Sequence, residues 1–273
     1  MSRIAGRFQQ LAEQGRKALI PYIVAGDPAL EVTVDLMHGL VEAGADIIEL
    51  GVPFSDPMSE GPVIQLAHER ALANGTGLRH ILELVGSFRQ QDNDTPVLLM
   101  GYANPVEHMG YSRFADAARE AGIDALLTVD IPPEEVAAVN AELHRVEMDN
   151  IFLVAPTTPD ERIERIAAEA SGFIYYVSLK GVTGAGHLDL DDVAHHLGRI
   201  RARTDLPLAV GFGIKDAESA ARVAGMAEGV VVGSALIDRM AKAVDAGADH
   251  AGAMAQATEL LREIRRGIDS TAS

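Results

Sequence analysis

Two acidic residues of a type suited to proton transfer lie on either side of one strand-to-loop junction. Glu49 belongs to an apolar segment, 46–51, whose alternation predicts a β-strand with Ile47, Glu49 and Gly51 on one face. Burying a carboxylate among apolar side chains costs free energy unless the group has a partner or a chemical role. Glu60 follows in the next loop, which contains three prolines. Two carboxylates that face one pocket can divide the roles of general acid and general base.

Three glycine-containing turns in the second half of the chain indicate a site for an anion. They are Gly181-Val182-Thr183-Gly184, Gly211-Phe212-Gly213 and Gly233-Ser234. Such turns bring backbone N–H groups close to a ligand, and a helix that begins after the last turn adds a favourable N-terminus. One such turn is weak evidence, but three turns after neighbouring strands predict a phosphate site.

Residue types that are scarce or missing exclude other chemistry. The chain has no cysteine, which excludes disulfides and thiol nucleophiles. Its four lysines, Lys17, Lys180, Lys215 and Lys242, all fall outside the predicted strands, so a Schiff base on a desolvated strand lysine is not expected. Neither the histidines nor the acids have metal-ligand spacing. What remains is acid–base chemistry on a small phosphate ester, without a metal or a cofactor.

Charge and hydropathy predict the class of protein and of partner. The chain has 273 residues, with 23 basic and 40 acidic side chains and a net charge of −17. A surface this acidic repels nucleic acid, and no basic stripe offsets it. No apolar run is long enough to cross a membrane, and the N-terminus lacks the apolar core of a signal peptide. We therefore expect a soluble, cytoplasmic protein that binds neither nucleic acid nor membrane.

The elements that must position these residues alternate between short apolar strands and helices. The predicted strands cover 18–24, 46–51, 96–101, 124–129, 150–154, 173–178, 206–210 and 229–232. Eight strand–helix units predict an α/β fold, a (β/α)8 TIM barrel, as one domain over 1–273. An extra N-terminal helix, 3–14, is expected at the barrel floor. A doubly wound sheet would place a glycine fingerprint after the first strand, and Gly26-Asp27-Pro28 is not one.

Capping patterns and turn residues refine two of these predictions. Thr158 is expected to cap the helix that follows it, with Glu161 completing a capping box. The segment Tyr102–Pro105 is expected to form a turn after the third strand.

Six motifs together resemble the tryptophan synthase alpha chain family. They are PYIVAGDP at 21–28, ELGVPFSDP at 49–57, YANP at 102–105, YYVS at 175–178, GVTG at 181–184 and GFGI at 211–214. The resemblance implies a lyase that cleaves indole-3-glycerol phosphate to indole and glyceraldehyde 3-phosphate by a retro-aldol reaction. It also implies a beta-chain partner in an α2β2 heterotetramer, with pyridoxal phosphate in the beta chain and no cofactor in this one.

The resemblance also implies a role for individual residues. Glu49 would be the acid–base residue, and Glu60 would stabilise the ring N–H. The indole pocket would be lined by Tyr22, Met100, Leu127 and Tyr175, although filling of the barrel is the alternative role for such strand residues. Thr183 would help position the acid, and the phosphate would be held by Gly184, Gly211, Phe212, Gly213, Gly233 and Ser234. The partner interface would include Asp56, Pro57, Asn104 and Pro105.

The sequence departs from the family pattern at the second acid, where Asp is expected and Glu60 is present. The glutamate side chain is one methylene longer, and an error of about 1 Å in placement can lower a rate about 10²-fold. One alternative is that Glu60 performs the same role because its loop lies slightly farther from the substrate and so compensates for the longer side chain. The other is that the chain is a weak catalyst that mainly activates a beta chain. A third alternative is a different phosphate-binding barrel, such as a sugar-phosphate isomerase, which would not require Glu49 and Glu60 together.

Overall fold

A parallel sheet closed into a barrel forms the centre of this computed structural model, which describes residues 2–177, 190–211 and 213–270. Within these ranges the strands are β1 (Ala18–Val24), β2 (Ile48–Gly51), β3 (Val97–Gly101), β4 (Ala125–Thr128), β5 (Asp149–Asn150), β6 (Phe152–Val154), β7 (Ile174–Val177), β8 (Leu208–Gly211) and β9 (Gly229–Val232). Their order in the sheet is β5-β4-β3-β2-β1-β9-β8-β7-β6.

The barrel closes through the predicted fifth strand, which is divided in two. Its first part, β5, pairs with β4 in the register Ala125↔Asp149, and its second part, β6, pairs with β7 in the register Phe152↔Ile174. Ile151 separates the two parts and still donates its N–H to the Leu126 carbonyl at 2.9 Å. One strand therefore bridges both ends of the sheet, and the predicted eight-stranded barrel is confirmed.

Helices surround the sheet and follow the strands in sequence. In the described part of the chain they are α1 (Arg3–Glu13), α2 (Thr33–Glu42), α3 (Pro62–Ala73), α4 (Leu78–Phe88), α5 (Ala103–Met109), α6 (Tyr111–Ala121), α7 (Ala137–Arg145), α8 (Asp160–Glu169), α9 (Leu190–Arg201), α10 (Ala217–Ala224), α11 (Ser234–Asp245) and α12 (His250–Asp269). Among the described residues, no helix combines the length and apolar character that a membrane span requires.

Strand β2 shows how the period of two separates the barrel interior from the helical layer. Ile47 packs in the interior cluster, whereas Ile48 and Leu50 pack in the outer cluster with residues of the helices. Because side chains alternate along a strand, Glu49 shares the inner face with Ile47. The predicted alternation thus directs one carboxylate into the barrel.

Helix α1 covers the barrel at the amino ends of the strands, as the sequence predicted. Its buried residues Ile4, Phe8 and Leu11 belong to the interior cluster, and the Phe8 and Phe173 rings lie 5.7 Å apart between centroids. Arg3 Nη1 also contacts Asp124 Oδ1 at 2.7 Å, just before β4. The floor is therefore sealed, and the open end lies at the carboxyl ends of the strands.

Two local predictions were wrong because the hydrogen bonds run elsewhere. Asn104 and Pro105 lie in helix α5 and not in a turn, and the first N–H of that helix, at Ala103, is capped by Asp130 Oδ1 at 2.8 Å. Thr158 does not cap α8, since Pro159 occupies the N-cap position and Thr158 Oγ1 accepts from the Ala155 N–H. In the first case the cap comes from a distant position, which local pattern rules do not detect.

Candidate active site

Glu49 is the buried acid at the open end of the barrel. It lies in β2 between Tyr22 of β1 and Leu98 of β3, and only 1% of its surface is exposed. Both of its carboxylate oxygens are buried without a hydrogen-bond partner among the residues that the structure describes. Burial, and then the charge of Glu60, raise the pKa of Glu49 to about 8. A buried carboxyl group with no structural partner indicates a chemical role.

Glu60 is the second acid, and contacts around its loop hold it near the first. It is partly buried, and burial raises its pKa to about 7. Its backbone carbonyl accepts from Gln65 Nε2 at 2.9 Å, and its N–H donates to the Pro57 carbonyl at 3.0 Å. The preceding Ser59 N–H donates to Tyr102 Oη at 3.1 Å. The backbone of Glu60 is thereby positioned from both sides.

The two raised pKa values place this pair of acids where proton transfer is possible near neutral pH. Because the charge of Glu60 raises the pKa of Glu49, ionisation of one acid favours the protonated form of the other. At neutral pH the pair can therefore hold one proton and one charge. Such a pair can act as an acid and as a base in the same turnover.

The raised pKa of Glu49 makes a prediction about stability that does not depend on any substrate. Its folded-state pKa of about 8 exceeds the ordinary value of 4.5, so this group favours folding at low pH, and that contribution is lost as pH rises through about 8. Glu49→Gln has no such loss. We expect the melting temperature of Glu49→Gln, relative to wild type, to increase from about pH 5 to about pH 9. A difference that stays constant with pH would contradict the buried, uncompensated carboxyl group.

Tyrosines and apolar side chains form the walls around the acids. Met100, Leu127 and Tyr175 pack in the barrel interior. Tyr22 and Tyr175 are buried, and burial followed by the charges of Glu49 and Glu60 raises the pKa of each hydroxyl well above its ordinary range. Met100, Leu127 and Tyr175 therefore lie at the inner face of the barrel, and Tyr22, which packs in the outer cluster, brings its hydroxyl group to Gly51 at the end of β2.

Two glycines make room for the tyrosine side chains. A Cβ on Gly51 would lie 2.5 Å from Tyr22 Oη, and a Cβ on Gly211 would collide with Tyr175 Oη. Both positions end a strand, so the missing side chains allow the rings to extend across the mouth of the barrel. A larger residue at either position would displace a ring that lines the pocket.

The glycine turns of the described chain meet at one side of the mouth. Gly211 ends β8, which pairs with β9, and Gly233 follows β9 as the N-cap of α11. Ser234 is the exposed first residue of α11, and the first N–H groups of such a helix have no partner within it. Gly213 has a φ of +74°, which favours glycine. Thr183, Gly184 and Phe212 of the predicted set lie outside the described residues.

Helix α3 supplies a group of anchoring residues that the sequence analysis did not identify. Gln65 holds the Glu60 backbone, His68 contacts Tyr22 and Phe54, and Arg70 forms two hydrogen bonds with Asp27 at 2.6 and 2.9 Å. A signal was available for one of them. His68 lies on the helical stripe that includes Ile64 and Ala71, where an apolar residue is expected.

The predicted partner residues differ in how far they reach the surface. Asp56 and Asn104 are exposed and Pro105 is partly exposed, but Pro57 is buried within the chain itself. Next to it, Met58 is 82% exposed, and Leu66 on α3 is 53% exposed. Large apolar side chains at such exposure are characteristic of interaction surfaces when they cluster. Sequence reasoning missed both residues.

No cluster of three or more histidine, aspartate or glutamate side chains that could hold a metal ion occurs in the part of the chain that the structure describes. Among the described residues, the polar groups at the mouth include the two acids, the tyrosine hydroxyls and the backbone N–H groups of the glycine turns. This set can donate and accept protons and can bind an anion.

Comparison with known proteins places these features in one family. A sequence model of the tryptophan synthase alpha chain matches residues 8–268. The tryptophan synthase alpha chain of Thioalkalivibrio sulfidiphilus is 59% identical over 269 residues, covering 98% of this chain and 100% of that protein. The crystal structure of tryptophan synthase subunit alpha from Legionella pneumophila is 46% identical, with a TM-score of 0.92 over 99% of both chains. A chain of M. tuberculosis tryptophan synthase in an aminoacrylate-bound form is 33% identical, with a TM-score of 0.87 over 98% of this chain and 100% of that one.

Proposed function

Because the chain belongs to the tryptophan synthase alpha chain family, a family of lyases, we propose that it cleaves indole-3-glycerol phosphate into indole and glyceraldehyde 3-phosphate. The observation that carries the proposal is the acid pair at the barrel mouth. Glu49 is buried without a hydrogen-bond partner among the described residues, and its pKa is raised by burial and by the charge of Glu60. A buried acid with a pKa near neutral is what reversible proton transfer requires.

The reaction needs one proton added and one removed, which suits a single acid–base residue. Protonated Glu49 donates to ring carbon C3 of the indole and becomes a carboxylate. That carboxylate then takes the proton of the side-chain hydroxyl adjacent to C3. The bond between C3 and the hydroxyl-bearing carbon breaks, its electron pair returns to the ring, and the carbon becomes the aldehyde of glyceraldehyde 3-phosphate. Glu49 ends the cycle protonated, so the proton balance is zero.

Glu60 acts on the other side of the indole ring. When C3 is protonated, positive character develops at the ring nitrogen, and a nearby carboxylate stabilises it. Its partial burial strengthens this interaction because the local dielectric constant is lower than in water. Tyr22, Met100, Leu127 and Tyr175 form the walls that keep water from the ring during this step.

The phosphate of the substrate binds the glycine turns. Gly211 and Gly213 offer backbone N–H groups at the end of β8, and Gly233 and Ser234 offer theirs at the start of α11; the family resemblance adds Gly184 and Phe212 to the phosphate-binding residues. Because the protein carries a net charge of −17, these local donors must hold the dianion against an unfavourable overall field. Thr183 helps to orient Glu49 in the same complex.

The natural context of the reaction is a complex with a tryptophan synthase beta chain. That chain carries pyridoxal phosphate and receives the indole. The chain described here forms one domain and binds no cofactor. The proposed contact surface contains Asp56, Met58, Asn104 and Pro105, and it places Pro57 behind them as a support. We propose an α2β2 heterotetramer in the cytoplasm.

The direct test is formation of indole from indole-3-glycerol phosphate by the purified chain, alone and with a beta chain. We expect indole to form at a rate that increases when the beta chain is present. A sugar-phosphate isomerase assay on the same preparation is the control for a different phosphate-binding barrel. Failure to form indole under both conditions would overturn the proposal.

A further inference from the structure

The loop between β2 and Glu60 is exposed in its middle and packed at its two ends. Its Met58 side chain is 82% exposed, whereas Phe54 and Glu60 are partly buried. A segment that is not part of a helix or strand depends on contacts with the rest of the chain for a defined position. The position of Glu60 therefore depends on the residues that fasten this loop to the barrel.

One side chain outside the loop, that of Tyr102, contacts both of its ends. The Tyr102 ring is stacked on the Phe54 ring, with 4.7 Å between the centroids and an angle of 21° between the planes. Tyr102 Oη accepts a hydrogen bond from the Ser59 N–H at 3.1 Å, and Ser59 directly precedes Glu60. Tyr102 is itself buried, with 2% of its surface exposed. It thus fastens the first part of the loop by its ring and the last part by its hydroxyl oxygen.

Tyr102 is attached to the strands that position the first acid. It directly follows β3, at the N-cap of α5. Strand β3 pairs with β2, the strand of Glu49, and the pairing continues beyond β2, where the Val52 N–H donates to the Met100 carbonyl at 2.8 Å. The tyrosine therefore connects Glu60 to the same two strands that hold Glu49 in place.

The hydroxyl group of Tyr102 is neutral in this position, and the charge of Glu60 acts on it. Burial raises the pKa of Tyr102 from its ordinary value of 10, the hydrogen bonds from Ser59 lower it, and the charges of Glu60 and Asp130 raise it further. A neutral hydroxyl oxygen can accept from the Ser59 N–H without placing a second negative charge beside the acid. Tyr102 can therefore hold the loop without repelling the Glu60 carboxylate.

We propose that Tyr102 is a positioning residue, which fastens the loop at Phe54 and Ser59 and thereby sets the place of Glu60 relative to Glu49. Its catalytic consequence rests on the proposed function, because it acts through the effect of Glu60 on the reaction. The fastening of the loop and the burial of Glu60 do not depend on that function, and both can be measured without substrate.

Two substitutions at Tyr102 separate its two contacts. Tyr102→Phe removes the hydroxyl oxygen and preserves the stacked ring, whereas Tyr102→Leu removes both contacts. Tyr111→Phe is the matched control, because it removes a tyrosine hydroxyl from the neighbouring helix α6 that donates to Glu107 Oε1 at 2.7 Å and not to the loop. Thermal unfolding of each variant confirms that the fold is retained before the comparison is made.

The first measurement is the rate of hydrogen exchange at individual backbone amides, followed by NMR. The Ser59 N–H is expected to exchange about 2–10-fold faster in Tyr102→Phe than in wild type, the change that loss of one hydrogen bond produces. The Phe54 N–H is the internal reference and should keep its rate, because its acceptor is His68 Nδ1 at 3.0 Å. We expect no change at either amide in Tyr111→Phe. An unchanged Ser59 rate in Tyr102→Phe would overturn the proposal.

The second measurement is the pKa of Glu60, from a ¹³C NMR titration of its side-chain carboxyl. Burial raises this pKa to about 7, so a loosened loop that lets the carboxyl reach water lowers it toward its ordinary value of 4.5. We expect a fall of about one unit in Tyr102→Leu and a smaller fall in Tyr102→Phe. A Glu60 pKa that keeps its wild-type value in Tyr102→Leu would show that Tyr102 does not set the place of this acid, and the proposal would be wrong.

Kinetics tests whether Tyr102 acts through Glu60. Since a displacement of about 1 Å can lower a rate about 10²-fold, we expect kcat to fall about tenfold in Tyr102→Phe and about 10²-fold in Tyr102→Leu, with little change in KM. In a Glu60→Gln background, Tyr102→Phe is expected to change kcat by less than about twofold, because the group that it positions is already absent. An equal fall in both backgrounds would indicate a merely structural role and overturn the proposal. If the wild type forms no indole, the proposed function fails, whereas the exchange rates and the pKa of Glu60 still decide this inference.

Discussion

Replacing Glu49 with glutamine is expected to lower the rate of indole formation by about 10²–10⁴-fold, the range of general acid–base catalysis. Glutamine has nearly the same shape as the protonated carboxyl but can neither release a proton to C3 nor accept one from the hydroxyl. The loss should therefore appear in kcat, with little change in KM, because the transition state loses an interaction that substrate binding does not use. Steady-state kinetics of indole release provides the measurement.

The control for Glu49→Gln is the same chemical change at an exposed acid. Glu42, at the end of α2, is exposed on the outer helical layer, so Glu42→Gln alters the net charge equally without reaching the barrel interior. We expect its kinetics to match wild type. If Glu49→Gln keeps its rate within about tenfold of wild type, Glu49 is not the acid–base residue of this reaction.

Removing the charge of Glu60 is expected to have the second largest effect, a fall of about 10²-fold in kcat for Glu60→Gln. The carboxylate stabilises positive character that develops only after C3 is protonated, so its removal acts on the transition state. The loop contacts support a defined position for this residue: Gln65 holds its carbonyl, and the neighbouring Ser59 N–H is held by Tyr102. Single-turnover kinetics with the beta chain absent measures the effect on the chemical step.

The variant Glu60→Asp distinguishes a functional glutamate from a defective one. If the loop is set back to accommodate the extra methylene, the shorter aspartate fits less well, and its rate should be equal to or below that of wild type. A rise of a hundredfold or more would mean that the wild-type chain is a weak catalyst that mainly activates its beta chain. Activation of the beta chain by wild type and Glu60→Asp, measured in parallel, completes the comparison.

The barrel could be predicted from the sequence because each strand and helix has its own local period of apolar residues. Strands β1 and β9 have the predicted bounds, Ala18–Val24 and Gly229–Val232, and the N-terminal helix seals the floor with Phe8. Alternation along β2 also identified Glu49 as an inward-facing acid. Each of these features depends on the spacing of apolar residues within a short segment, and hydrophobic burial enforces that spacing directly.

Predictions that depended on the choice of hydrogen-bond partner were the ones that failed or were missing. The cap of α5 comes from Asp130, which lies 27 residues from Ala103, and the predicted cap at Thr158 instead binds Ala155. The burial of Pro57 and the exposure of Met58 depend on how one loop folds back. Short-range rules cannot choose among such partners because each side-chain oxygen has several backbone N–H donors within reach.

The arrangement of the acid pair also depends on contacts between residues that are far apart in the sequence. By itself, the sequence determined that an aliphatic barrel would form, that Glu49 would face its interior and that glycine turns would end its last strands. Only the tertiary structure decided that His68 lies 46 residues from Tyr22 yet contacts its hydroxyl, and that Glu60 affects the ionisation of Glu49. The physical reason is that burial follows from a periodic local pattern, whereas ionisation depends on which charges and dipoles share one low-dielectric pocket.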